Sequence, residues 1–288
     1  QTGMHAAGVV ICAKPISDSV PLQRSGEDDV TTQFYMKEVE QLGMLKMDFL
    51  GLRTLTDIAK AKQYIKEDYG IELDFHKLGY EDAEVYKLIG EGETDAVFQL
   101  ESPGMKRFMR DLKPSTFEDI IAGISMYRPG PMDSIPTYIE NRHNPSKVTY
   151  KTPELKNILD VTYGCMVYQE QVMQICRELA GYSYGRADIV RRAMSKKKHD
   201  VMLQERAHFI HGMTDDKGNV ICEGAIRRGV SEKAANEIFD EMMSFASYAF
   251  NKAHAAAYAY VAYQTAWLKC HYPCEFLAAL LTSFLDNT

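Results

Sequence analysis

Lys46 and Asp48 place an ammonium and a carboxylate two positions apart in the segment Lys46-Met47-Asp48-Phe49. On a strand, residues i and i−2 point the same way, so both charges would share one face of a sheet. Beside a phosphate, Asp48 would bind Mg²⁺ and Lys46 would offer a point charge to phosphate oxygen. One carboxylate does not hold two metals, so such a site would be incomplete within these residues. The competing reading is a plain ion pair on a sheet surface.

A second group runs from Arg186 to Lys198 and sets six basic residues against the single Asp188. On a helix, Arg191 and Arg192 stand about 100° apart and can both reach one edge. Guanidiniums suit bidentate contacts with a polyphosphate, and Lys196, Lys197 and Lys198 would extend the positive field. A solvated basic helix end, favoured by the helix dipole, would look the same. A third group is Phe250-Asn251-Lys252-Ala253-His254, followed by alanines. Asn251 can cap the helix that the alanines begin, which would set Lys252 and His254 around its N-terminus, where anions bind. The alternative is a cap with a satisfied histidine.

Weaker signals remain. Lys106, Arg110 and Lys113, with Arg107 beside them, could track a phosphate backbone or form a solvated face. The amides of Gln169 and Gln171 could read a base or ribose edge, or be polar filler. Glu205, His208 and His211 fan around a helix and do not converge on a metal. Cys270, His271 and Cys274 lack zinc-site spacing and a fourth ligand, which makes a zinc-dependent hydrolase remote. The nucleophile-elbow, phosphate-loop and dinucleotide-binding motifs do not occur.

These residues need a scaffold, and the chain has 288 residues, 45% apolar and 25% charged, with a formal net charge of −7. That supports one or two compact units and excludes wholesale disorder. A net-acidic chain is no histone-like polycation, so any nucleic-acid handling must rest on local basic clusters. No apolar run suffices to cross a bilayer. The start, Gln1-Thr2-Gly3-Met4, lacks a secretory signal and an initiator methionine, and reads as a piece of a longer protein. Six cysteines between Cys12 and Cys274, without a C-x-x-C pair, read as reduced cytosolic thiols.

Strands are expected at 8–13, 32–36 and 43–50, with a polar loop over 24–29. Helical periodicity predicts helices at 55–69, 82–89, 105–112, 116–126, 168–180, 186–194, 201–213, 232–245, 255–271 and 275–285. Arg128-Pro129-Gly130-Pro131 is a firm break, and 215–219 is a turn. The expected fold is mainly α, with a small N-terminal α+β portion.

Eight segments, in order, resemble one family: His5-Ala6-Ala7-Gly8-Val9-Val10-Ile11, Lys46 to Leu55, Val97 to Ser102, Tyr127-Arg128-Pro129-Gly130-Pro131, Tyr168 to Met173, Arg191-Arg192-Ala193-Met194, Phe250 to His254, and Tyr263-Gln264-Thr265. The chain is similar, over nearly its whole length, to bacterial DNA polymerase III alpha subunits, the C-family replicative polymerases of the DnaE type. The resemblance implies a partial polymerase-beta-like palm over 1–52, followed by a helical fingers domain over 53–288. In that family three acidic residues bind two Mg²⁺ ions. Asp48 matches the third, and the upstream motif carrying the first two is not in this sequence. Lys46 matches a palm lysine near the active site. Arg191 and Arg192 match arginines that contact the incoming triphosphate, and His254 a residue implicated in excluding a ribose 2′-hydroxyl. Asn251 and Lys252 belong to the same motif, and Arg128 and Gln171 would be site-wall residues.

The function so implied is template-directed deoxynucleotidyl transfer to a primer 3′-hydroxyl, located in the cytoplasm. Its partners would be primer–template DNA, deoxynucleoside triphosphates and other replisome subunits, including a sliding clamp reached through regions outside this chain, and no membrane. The segment alone would be inactive. A non-catalytic helical nucleic-acid-binding module is the alternative, and it needs neither Asp48 nor magnesium. The one departure from the family, around 214–230, is expected to be a surface excursion that leaves the site untouched.

Overall fold

A computed structural model describes residues 4–5, 7–24, 29–195, 199–246 and 248–285. Lys196, Lys197 and Lys198, the start 1–3 and most of the expected polar loop, at 25–28, lie outside the described residues. The chain divides into two units, residues 1–56 and 57–288.

In the first unit, β1 (Gly8–Ile11) pairs antiparallel with β4 (Leu45–Asp48), in the register Gly8↔Asp48 and Val10↔Lys46. Alternation then sets Lys46 and Asp48 on the same face as Gly8 and Val10. A second ribbon pairs β2 (Leu22–Arg24) with β3 (Val30–Thr32). Val20, Val39 and Met44 form a small core, with Val10, Cys12 and Ile16 packed against it. The strand expected at 32–36 is corrected: β3 ends at Thr32, and α1 occupies Met36–Gln41. Met-Lys-Glu-Val-Glu-Gln favours a helix, while the aromatic pair Phe34-Tyr35 imitates a strand and serves only to enter that helix. Strand β2 escapes a reading by pattern because Leu-Gln-Arg holds one apolar residue.

The second unit holds α2 (Arg53–Tyr69, most of it beyond residue 56), α3 (Phe75–Leu78), α4 (Ala83–Gly90), α5 (Pro103–Leu112), α6 (Phe117–Met126), α7 (Ile135–His143), α8 (Lys156–Leu159), α9 (Gln169–Ala180), α10 (Tyr184–Ser195) and α11 (His199–His211). A hairpin of β5 (Met213–Thr214) and β6 (Val220–Cys222) follows, then α12 (Glu232–Ala246), α13 (Lys252–His271) and α14 (Pro273–Phe284). The chain is mainly α with small strands. Helix α13 packs on α4, α6 and α14. Its buried Ala255, Ala259, Ala262 and Ala266 let α6 approach closely. Helix α6 is buried from Asp119 to Met126, so its polar start needs internal partners. Thr116 and Asp119 form a capping box there. Arg142 on α7 clamps Asp119 with two parallel bonds, Nε to Oδ1 at 2.9 Å and Nη2 to Oδ2 at 2.8 Å.

A second core joins α9 to α12 through Ile175, Leu179, Val190, Phe209, Ile238 and Met242. Two expectations need amendment here. Helix α7 and four short 3-10 turns between 131 and 162 were not foreseen. Pro131, in the segment read as a break, and Pro136, Pro145 and Pro153 each sit at the start of an element, where the missing N–H costs nothing. The segment 214–230 is a surface excursion only at its tip, where Asp215 Oδ1 accepts from the Lys217 and Asn219 amides at 2.9 and 2.8 Å. Its base is core, because Cys222, Ala225 and Val230 are buried among α9, α11 and α12. Among the described residues, no helix is long and apolar enough to cross a membrane.

Candidate functional site

In the first unit the Lys46 ammonium donates to Asp48 Oδ1. The lysine stem is packed, leaving its side chain 15% exposed, while the carboxylate is 53% exposed. His5 Nδ1 lies 3.8 Å from the same oxygen and accepts from the Ala7 amide at 3.2 Å. The hydrogen bond from Lys46 holds the Asp48 carboxyl below the usual carboxylate range, helped by the charge of Lys46. Gly8 stands opposite Asp48, and a Cβ there would meet His5 Nδ1 at 2.9 Å, Lys46 Cε at 2.9 Å and Asp48 Oδ1 at 3.2 Å. The bare glycine keeps the carboxylate approachable. An ionised, exposed carboxylate fits one ligand position of a hard divalent cation such as Mg²⁺. It cannot supply a full set: among the described residues, no three His, Cys, Asp or Glu side chains group to hold a metal.

In the second unit a polar junction forms where α9, α10 and α13 meet. Tyr168 and Phe250 make a parallel β-bridge, and the Gln169 amide donates to Phe250 O at 2.8 Å. Arg191 and Arg192 both reach Asp188, three and four positions on and so about one turn away: Arg191 Nη2 to Oδ1 at 2.7 Å, and Arg192 Nε to Oδ2 at 2.8 Å. These bonds, led by that from Arg191, hold the Asp188 carboxyl low. Arg191 Nη1 also donates to Gln169 Oε1 at 2.9 Å, while the Arg192 side chain stays 68% exposed.

Asn251 caps α13, its Oδ1 accepting from the His254 amide at 2.9 Å. The anion position at this helix start is filled from within. Glu170 accepts from Asn251 Nδ2 at 3.0 Å and from the Lys252 amide at 3.2 and 3.1 Å. Lys252 Nζ turns to Glu118 at 3.0 Å and lies over the Tyr168 ring. The His254 ring sits 4.2 Å from that of Tyr258 and edge-on to Phe250.

Arg128 supports this junction from behind. Its Nε donates to Ser125 O at 3.0 Å, its Nη2 donates to Tyr248 O, and its guanidinium lies 4.1 Å from the Phe250 ring centre. Gly130, at φ 106°, passes beside Tyr248, and a Cβ there would clash with its ring. Gly130→Ala should therefore destabilise the fold by about 2 kcal/mol, read as a lower urea midpoint at unchanged slope.

Several expectations change. Gln171 is buried, and its amide is spent inside: Oε1 accepts from the Val167 and Tyr168 amides, and Nε2 donates to Ile158 O and Thr162 Oγ1. It shapes the loop before α9 and does not face the junction. Arg186 leaves the basic group: it pairs with Glu205 at 2.8 Å and donates to His208 Nδ1 at 2.9 Å. Glu205 and His208 are thus the partners of Arg186, and His271 pairs with Asp82. Lys106 pairs with Asp95, Arg110 donates to Glu91 O, and Lys113 closes α5 in the left-handed region, so these three make no continuous phosphate track. Sequence reading missed Glu170 and Glu118, which lie 81 or more positions from their partners. No local pattern signals such a pairing.

The fold and junction define a helix-rich chain with cationic and aromatic side chains drawn together at one helix start. The model for the bacterial DNA polymerase III alpha subunit finger domain matches residues 54–217, and that for the alpha NTPase domain matches residues 1–51. The chain belongs to the bacterial DNA polymerase III alpha subunit family. It is 51% identical over 284 residues to the DNA polymerase III subunit alpha of Thermus aquaticus, 47% to that of Aquifex aeolicus and 44% over 283 residues to that of Bacillus subtilis. These matches take in 97–98% of this chain and only 22–24% of the relatives' length.

Proposed function

We propose that this chain supplies the end of the palm, residues 1–52, and the helical fingers, 53–288, of a template-directed DNA polymerase. The substrates are deoxynucleoside triphosphates and primer–template DNA. The setting is the cytoplasmic replisome, with the sliding clamp and other subunits reached through regions outside these residues. The observation that carries the reading is the meeting of Arg191, Asn251, Lys252 and His254 at one junction of α9, α10 and α13.

In this reading the α10 guanidiniums take the negative tail of the nucleotide, exchanging Asp188 for phosphate oxygens of like geometry. The exposed Arg192 makes the first contact, and Arg191, steered by Gln169, makes the oriented one. His254, wedged between Phe250 and Tyr258, presents a fixed ring edge to the sugar. Asp48 is one carboxylate ligand of a two-Mg²⁺ site completed by acidic residues not in this sequence, and Lys46 holds it ionised. Bound magnesium would activate the primer hydroxyl and steady the departing pyrophosphate. Template pairing selects the base, so these side chains carry no base code. The segment by itself, holding one metal ligand, should incorporate no nucleotide at any magnesium concentration.

The test is Arg191→Ala in the complete polymerase. A lost charged hydrogen bond to phosphate should raise KM for nucleotide about tenfold, with a smaller change in kcat. Unchanged KM and kcat would remove Arg191 from the site. Duplex binding that follows salt alone and ignores magnesium and Arg191 would favour a non-catalytic helical module.

A further inference from the structure

We propose that Gln169 is a positioning residue that couples the Arg191 guanidinium to the Phe250–His254 turn, so that grip on the triphosphate and rejection of a ribose 2′-hydroxyl depend on one side chain. The inference rests on the reading of Arg191 and His254 as nucleotide-facing residues.

A side-chain amide offers an acceptor and a donor a fixed distance apart, and both ends of Gln169 are used. Oε1 accepts from Arg191 Nη1 at 2.9 Å, and Nε2 donates to Ala249 O at 3.1 Å. The backbone amide of the same residue holds Phe250 O at 2.8 Å. Gln169 therefore grips two successive carbonyls just before α13, and the next residue, Asn251, sets the first turn by accepting from the His254 amide. A continuous path of hydrogen bonds and backbone thus runs from Arg191 to His254 through Gln169, Ala249, Phe250 and Asn251. On its other side the Arg191 guanidinium is held by Asp188 through Nε and Nη2, and the Gln169 amide oxygen takes Nη1. Other residue types fail at one end. A carboxylate keeps the guanidinium but turns an oxygen against the Ala249 carbonyl. A thioether fills the space and serves neither partner.

The experiment compares wild type, Gln169→Met, Gln169→Glu, Arg191→Ala, His254→Ala and the Gln169→Met/Arg191→Ala pair in the complete polymerase. Steady-state constants are measured for deoxy- and ribonucleoside triphosphates, with a melting curve for each. Gln169→Met should raise KM for the deoxynucleotide about tenfold while kcat moves less, and should lower the preference for deoxyribose by about tenfold. Gln169→Glu, which loses only the donor, should lower that preference in the same way. Added to Arg191→Ala, Gln169→Met should raise KM by clearly less than it does alone, because a shared link is already broken. A wild-type sugar preference in both Gln169 variants, or full additivity with Arg191→Ala, overturns the coupling. Defects in Arg191→Ala and His254→Ala beside an unaffected Gln169→Met would sink this inference alone. If Arg191→Ala and His254→Ala both behave as wild type, the nucleotide wall itself is wrong and the coupling falls with it.

Discussion

Asp48→Asn in the complete polymerase should lower incorporation by about a thousandfold while barely moving the melting temperature. If Asp48 is the metal ligand proposed above, the large kinetic effect follows from losing that charge where phosphate charge must be neutralised. The small effect on stability follows from position. Asp48 sits at the open end of a two-stranded ribbon, half exposed, bonded to Lys46 with His5 3.8 Å away. Exposed pairs of that kind contribute little to folding. Asparagine keeps the shape beside Gly8, so any loss reports charge. The measurement is single-turnover incorporation over a magnesium titration. Wild-type turnover would take Asp48 out of the metal site.

Asp119→Ala should have the opposite profile, with a loss of about 4 kcal/mol in stability before any effect on chemistry. Asp119 is fully buried at the start of α6, and the substitution strands the two-bond Arg142 guanidinium along with the Ser115 and Thr116 amides. Breaking a buried pair on one side is costly because the other charge remains without a counterion. Burial pushes the Asp119 carboxyl up, but Arg142, the Ser115 amide and Thr116 outweigh it, and the net shift is below the usual value. A carboxyl depressed in the folded state stabilises fully above its unfolded value, about pH 4, and that stability is lost as pH falls through the folded value. The gap between wild type and Asp119→Ala in urea melts should therefore be widest near neutrality and narrow on acidification below about pH 4. A gap that stays constant with pH would mean that the Arg142 pairing is not what stabilises this corner.

Much of this chain was readable from local pattern. Helix α2 ends at Tyr69 before Gly70, α6 ends at Met126 as its expected span has it, and Asn251 caps α13 through the His254 amide. Each of these depends on contacts within four residues, which spacing encodes. The sharing of one face by Lys46 and Asp48 is legible for the same reason, since strand alternation needs only the two residues themselves. The proline-marked stretch 131–162 was harder, because proline breaks one element and begins another with equal ease.

What the sequence alone determined is the set of chemical groups and their local presentation: an ionised carboxylate beside an ammonium on a strand, two guanidiniums on one helical turn, and a capped helix start followed by alanines. The tertiary structure decided which of those groups are spent and which face outward. It occupied the α13 start with Glu170, locked Gln171 in the interior, turned Arg186 toward Glu205 and joined Arg191 to the His254 turn through Gln169. Those pairings link positions 9 to 82 residues apart. They arise because buried polar groups must find partners wherever packing brings one within reach, a condition that no local spacing encodes.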